Sequence, residues 1–330
     1  MRKIMSSLDI GYASIKFIVA EIKGKKLYVL TSSIINNDAV KKDMTIDYDI
    51  LEAIIKKLLS DAKEKLGIEI KKTLLTIPTD SASFTINRAR IDIKNEDNLI
   101  TTDDMIKVVN LSGENVVQDN MELVNITPLY YTLDDSSKTD IPVNTFSRSL
   151  EVKSIITSSR KEDVYKYLRV LDNLGVSVVD ISYDVVGNYF AFKTDDMDTT
   201  CGVIIDIGYL STSISVYNKG VLVNTLKIKV GSLNVLKDIS YIYKISLESA
   251  KEVYKKLGLG SSKNANNLEK IELKDNNGDK LIINQVNLSE IIESRVNEIL
   301  SMAKKQINTL TKRQISYIIC TGGIANIGDF

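Results

Sequence analysis

The sequence predicts an α/β protein of two domains, each built on a strand–turn–strand unit that the chain writes twice. Three observations support this. The tetrapeptide Asp-Ile-Gly-Tyr stands at Asp9–Tyr12 and again at Asp206–Tyr209, each time after an apolar run and before a small hydroxylated cluster. Both copies open a stretch that reads as a three-strand meander. A chain of 330 residues also exceeds what one ordinary hydrophobic core serves.

In chain order, residues 4–35 read as three strands, the third following a Gly24-Lys25 turn signal. Residues 49–66 are predicted helical, because Leu51, Ile54, Ile55, Leu58, Leu59, Ala62 and Leu66 recur at helical spacing and Gly67 supplies the stop. KKTLLTIP is a short buried strand. From about 81 to 155 the texture changes to an inserted β-rich block. There SASFTINRARIDI alternates, TTDDMIKVVNLS is a helix with Thr102 as candidate N-cap, and MELVNITPLYYTLDD and SLEVKSIITS are further strands. The prolines Pro78, Pro128 and Pro142 all lie in or beside this block. Residues 161–174 return to helix, VSVVDISY to strand, and VVGNYFAF to a helix that Asp184 would cap. After the second meander, 232–257 reads as two helical pieces and the polar stretch 258–280 as a loop or flexible hairpin. A long helix at 288–311 follows, with Asn287 and Glu290 as a capping box. Last come the strand ISYIIC and a Gly322-Gly323 turn into a helix start.

Composition excludes several classes of function. Apolar residues make up 44% and charged residues 26%, as in globular proteins. The 43 Lys and Arg balance the 43 Asp and Glu, so no field of one sign gathers a polyanion and nucleic-acid binding is not expected. Histidine is absent, which removes Ser-His triads, His metal ligands and His general bases. No run approaches the ~20 apolar residues of a membrane span, and the N-terminus lacks the apolar core of a signal peptide. A cytoplasmic location with reduced, structural Cys201 and Cys320 is therefore expected.

The duplicated stretch suggests a chemistry. In each copy a strand delivers Asp to its end and Gly turns the chain, a position where φ > 0 and close backbone approach to a ligand are expected. A carboxylate there suits water-mediated contact with Mg²⁺, as Asp9 and Asp206 would make. Ser14, Ser211, Thr212 and their N–H groups could cradle phosphate oxygens, and Lys16 could reach a β- or γ-phosphate. Two such hairpins facing across a cleft would clamp a triphosphate and its metal. The Gly322-Gly323 pair leaves room for a flat base. A single Asp-x-Gly hairpin is usually only a turn; two, each heading its own meander, are less ordinary.

This order of two phosphate hairpins and a late Gly-Gly loop resembles the actin-like ATPase superfamily, with its duplicated ribonuclease-H-like core. The inserted block is similar to subdomain 1C, an SHS2-type insertion, of the bacterial cell-division family FtsA: Pro128, Tyr131 and Asp134 match a Pro-x-x-Tyr-x-x-Asp run, and Pro142 precedes the last strand. LSEIIESRVNEIL also resembles the family's helix before the adenosine loop, and the likeness runs from residue 5 to 330. It implies ATP with Mg²⁺ as ligand. Asp9, Gly11, Ser14 and Lys16 would form the first phosphate loop and Asp206, Gly208, Ser211 and Thr212 the second. Gly322 and Gly323 would form the adenosine loop, with Arg295 a ribose or base neighbour. Subdomain 1A would be 1–80 plus 156–185, 1C 81–155, 2A 186–226 plus 286–330, and 2B 227–285. The implied partners are the FtsZ C-terminal tail through 2B, further copies in a filament, and later division proteins through 1C. The resemblance also implies attachment to the cytoplasmic face of the membrane by a C-terminal amphipathic helix beyond Phe330, so that the chain is expected to be C-terminally truncated.

The match departs from the family at the second loop, where Tyr209 and Leu210 stand for glycines and Ser213 for a carboxylate. Tight ATP binding, and hydrolysis more so, are thereby put in question. Asp184 is the one candidate to polarise a water, with the N-cap role as its alternative. Two other readings stay open: a PilM-like protein of type IV pilus assembly, which shares the 1C-type insertion, and a sugar-kinase-like phosphotransferase on the same duplicated core.

Overall fold

A computed structural model describes residues 3–24, 26–40, 45–78, 82–95 and 97–330. Lys25 of the expected first turn and Ser81 at the head of the inserted block lie outside the described residues. The chain divides into two compact units, Met1–Asp184 and Val185–Phe330.

In the first unit, strict alternation drives β1 (Lys3–Ile10) and β2 (Ser14–Lys23) to pair antiparallel, with Leu8, Ile10, Ile15, Phe17 and Val19 buried. A strand's side chains alternate between faces, so Asp9 and Lys16 fall on the opposite side from this core. β3 (Lys26–Asn36) completes the meander. Helix α1 (Tyr48–Leu66) begins where the Asp47 carboxylate accepts from Ile50 N–H and ends at Gly67, which takes the left-handed conformation at φ 66°. It buries Leu51, Ile55 and Leu58 completely, each worth about 1.5–3 kcal/mol of transfer free energy. β4 (Lys72–Ile77) then runs parallel to β1, and β9 (Ser177–Tyr183) parallel to β4, giving the sheet order β3-β2-β1-β4-β9.

Between β4 and β9 the chain inserts a second sheet. Its strands β5 (Ser83–Asp92), β6 (Met121–Thr132), β7 (Lys138–Thr139) and β8 (Ser149–Arg160) lie in the order β5-β8-β6-β7. Helix α2 (Thr102–Gly113) packs on it around a separate core of Ile91, Ile100, Val108, Leu150 and Val152. The N-cap of α2 is Thr101, one residue before the expected Thr102: Thr101 Oγ1 accepts from Asp104 N–H while the Asp104 carboxylate accepts from Thr101 N–H. The adjacent threonines have equal cap chemistry, and the acidic residue three positions on selects the first. Pro128 sits in β6 where the register with β8 shifts, a place that tolerates its missing N–H. The border expected at 155/156 falls inside β8. Helix α3 (Lys161–Asn173) returns the chain to the first sheet.

Helix α4 (Asp184–Phe192) starts at the junction of the two units. Asp184 is its first residue. The second unit repeats the first meander as β10 (Cys201–Ile207), β11 (Thr212–Asn218) and β12 (Val221–Ile228), and β15 (Tyr317–Gly322) runs parallel to β10. The order β12-β11-β10-β15 matches β3-β2-β1-β4 in sequence and sense. Helices α5 (Ser232–Tyr243) and α6 (Leu247–Leu257) and the long α7 (Gln285–Leu310) cover this sheet, with Leu288, Ile292, Val296, Ile299, Ala303 and Ile307 of α7 in its core. The N-cap of α7 is Asn284, whose side chain accepts from Asn287 N–H, so the expected capping position is three residues late. The stretch expected as a loop or flexible hairpin ends in a formed hairpin, β13 (Lys270–Lys274) with β14 (Lys280–Asn284). Its turn is set by the Asp275 carboxylate, which accepts from Asn277 and Asp279 N–H, and by Gly278 at φ 89°. Cys201 and Cys320 are free thiols, and burial pushes the Cys320 thiol pKa up.

Candidate functional site

The two hairpins share one backbone design. In the first, Gly11 N–H donates to Ser14 O at 3.1 Å, and in the second Gly208 N–H donates to Ser211 O at 3.0 Å. A Cβ on Gly11 would lie 3.0 Å from Ser14 O, and on Gly208 3.1 Å from Ser211 O. Neither glycine has positive φ, contrary to expectation, and neither do Tyr12, Tyr209 or Leu210. The glycine is needed for the close approach across the turn, and the residues after it pay no left-handed penalty.

The carbonyls of each turn are held from outside, by different means. Asn37, at the end of β3, donates its side-chain amide to Gly11 O at 2.8 Å and its backbone N–H to Ala13 O at 3.0 Å. In the second unit the start of α5 does this work: Ser232 N–H reaches Gly208 O and Leu233 N–H reaches Tyr209 O, both at 2.9 Å. Gly231 makes that approach possible, since a Cβ there would sit 2.6 Å from both carbonyl oxygens. The sequence reading missed Asn37 and Gly231. The Gly-Ser pair opening a helix after the second meander was a visible signal; nothing local marks Asn37.

Strand register sets the polar groups. Asp9 is directly opposite Lys16, and Lys16 Nζ donates to Asp9 Oδ2 at 2.7 Å. Asp206 is directly opposite Ser213, so the second hairpin has a small hydroxyl where the first has a cation. Asp206 Oδ2 instead accepts from Asn188 Nδ2, on α4, at 2.8 Å. The Thr212 side chain is turned away from any ligand: it is fully buried and its hydroxyl donates to Val230 O at 2.8 Å. Burial pushes the Tyr209 hydroxyl pKa up.

Gly322 closes against the second hairpin from β15. It has φ 96°, and a Cβ would fall 2.3 Å from Ile207 O and 2.6 Å from Asp206 Oδ1. Gly323 has nothing within 4 Å of a Cβ and begins a short 3-10 turn, Ile324–Asn326, where a helix start was expected. The two glycines therefore do different jobs, one fitting the strands together and one leaving open space. Arg295 is committed within its own unit: its Nε and Nη2 grip both oxygens of Asp238 on α5 at 2.6 and 2.9 Å, and its Nη1 also reaches Glu298. The structure thus gathers Asp9, Gly11, Ser14 and Lys16 at one turn and Asp206, Gly208, Ser211 and Gly322 at another, and gives Arg295 a helix-bridging role. Among the described residues no three His, Cys, Asp or Glu side chains converge as a metal site.

Known proteins resemble this chain in sequence and in fold. The family "Cell division protein FtsA" matches residues 203–327. The FtsA of Bacillus subtilis is 25% identical over 321 residues, covering 97% of this chain and 73% of that protein. Among solved structures, one described as a PilM-PilN type IV pilus biogenesis complex superposes with a TM-score of 0.67 at 13% identity, covering 97% of this chain and 82% of that one. MreB5 of Spiroplasma citri bound to ADP gives 0.56 at 14%, covering 99% and 86%. The chain is FtsA-like in sequence and actin-like in fold.

Proposed function

We propose that this protein is an ATP-binding, actin-like assembly factor of bacterial cell division. The observation that supports it best is the FtsA likeness, which extends over 97% of the chain at the level of sequence, with the Asp-Ile-Gly-Tyr turn built twice. On this reading Lys16 would leave Asp9 for the β- or γ-phosphate, and Ser14 with the first turn's N–H groups and Ser211 with the second turn's would bind phosphate oxygens, each turn within its own unit. Asp206 would hold the metal through water. Mg²⁺, when bound, offsets phosphate charge. Gly323 offers a bare surface to the base. The fold it shares with MreB5, whose structure was solved with ADP, favours a nucleotide as the ligand.

ATP acts here chiefly as a conformational ligand, and turnover lies far below the ~1–100 s⁻¹ of kinases, because Ser213 cannot order water as a carboxylate does. The protein self-associates into filaments, receives the FtsZ tail on 227–285 and later division proteins on 81–155, and works at the cytoplasmic face of the membrane. A pilus-assembly role has support from fold alone, at 13% identity.

Calorimetry with ATP and Mg²⁺ tests the central claim: the wild type binds, and Lys16→Ala binds 30- to 100-fold more weakly, the equivalent of about 2–3 kcal/mol. Equal affinity in the two proteins would refute the first loop as a phosphate site. An FtsZ-tail peptide should protect amides within 227–285 from hydrogen exchange; protection confined to 81–155 would redirect the partner assignment.

A further inference from the structure

Asn188 has no part in the phosphate turns described above, yet its side chain touches the acidic residue of the second one. It lies on α4, four residues after Asp184, and α4 starts at the junction of the two units. Its Nδ2 donates to Asp206 Oδ2 at 2.8 Å. A carboxylate can only accept, so the amide nitrogen must be the atom that faces it. Asp206 Oδ1 lies against Gly322, where an added Cβ would stand 2.6 Å from it, so the glycine is what leaves this oxygen room. The Asn188 amide therefore anchors one oxygen of the carboxylate, and Gly322 leaves room for the other. Asp9 is held differently, by the ammonium of Lys16. Among the described residues Asp206 has no cationic partner, so its charge stays unneutralised while its orientation is set.

We infer that Asn188 is a positioning residue for Asp206: it aims the carboxylate at metal-bound water without neutralising it, and so sets how much Mg²⁺ the protein needs to hold a nucleotide. This rests on the nucleotide reading of the preceding section. A lysine at this place would cancel the charge that attracts the cation. An apolar residue would let the carboxylate rotate. Outer-shell partners of this kind typically account for 10- to 100-fold in metal affinity.

The test is ATP binding by the whole protein, titrated with Mg²⁺. Asn188→Leu, close in size but without the donor, should raise the Mg²⁺ concentration for half-maximal binding by about tenfold. Saturating Mg²⁺ should restore wild-type ATP affinity, which also shows that the variant is folded. Asp206→Asn should shift the midpoint similarly, and adding Asn188→Leu to it should shift it no further, because the two act as one unit. An unchanged midpoint in Asn188→Leu overturns the inference, as does a loss of affinity that Mg²⁺ cannot restore, which would mark Asn188 as structural. If the wild type binds no ATP at any Mg²⁺ concentration, the nucleotide reading falls and this inference with it. That result is distinct from a binding-competent wild type with an indifferent Asn188→Leu.

Discussion

The first hairpin sets Asp9 opposite Lys16, while the second, with the same turn hydrogen bond to within 0.1 Å, sets Asp206 opposite Ser213. The first is neutral as a pair and the second carries a net negative charge. Their supports differ as well: one side-chain amide and one N–H from Asn37 hold the first, and the start of a helix holds the second. Duplication has thus preserved the backbone and let the charges diverge. A phosphate needs a cation and a metal-bound water needs an anion. On the proposed reading the first turn would meet the one and the second the other, each within its own unit.

The largest expected difference between the hairpins lies in how tightly each is packed. Gly322→Ala puts a Cβ 2.3 Å from Ile207 O at a backbone φ of 96°. It should cost about 3 kcal/mol in urea unfolding, since backbone oxygen cannot yield as a side chain can. Gly11→Ala, whose Cβ would meet Ser14 O at 3.0 Å with no left-handed strain, should cost about 1 kcal/mol or less. Equal costs would mean that β15 gives way and that the second hairpin is no more rigid than the first.

That packing marks the limit of what could be read from the sequence. Every long element was legible, because Leu51, Ile55 and Leu58 or Leu288, Ile292 and Val296 repeat at helical spacing and the meanders alternate. The Asp-x-Gly turns were legible because they occur twice. Long-range polar contacts left no local trace. Asn188 to Asp206 spans 18 positions and Asn37 to Gly11 spans 26, and neither asparagine stands in a distinctive pattern. The role of Thr212 was misread because a hydroxyl next to a phosphate-type turn looks like a ligand group, whereas register turns it inward to Val230.

A smaller effect separates the hydroxyls of the second turn. Thr212→Val keeps the shape and removes the bond to Val230 O, leaving a partly buried carbonyl short of one donor. About 1 kcal/mol of stability should be lost, with ATP affinity within twofold of wild type. A large drop in affinity without loss of stability would return Thr212 to the ligand site. Tyr209→Gly, in turn, should not tighten ATP binding. Tyr209 already adopts an unstrained backbone, so glycine relieves nothing and adds chain entropy to the unfolded state. A gain in affinity would show that the Tyr209 ring, rather than the backbone, obstructs the nucleotide.

The smallest effect is expected where the hairpins differ most in charge. The Lys16 and Asp9 side chains are 53% and 34% exposed, so water screens the attraction and holding two side chains in one geometry costs entropy. Lys16→Ser, which gives the first hairpin the second's pairing, should therefore change the stability of the nucleotide-free protein by under ~0.5 kcal/mol. Even that small change should shrink as salt is raised, because screening weakens an exposed pair first. The same substitution should weaken ATP binding as strongly as Lys16→Ala does. Urea unfolding at low and high salt, set beside calorimetry on the same samples, measures both. A stability loss of ~2 kcal/mol or more would mean that Lys16 is part of the fold. A small loss together with a large drop in affinity would mean that the lysine is kept for the ligand and that Asp9 holds it in place until the phosphate arrives.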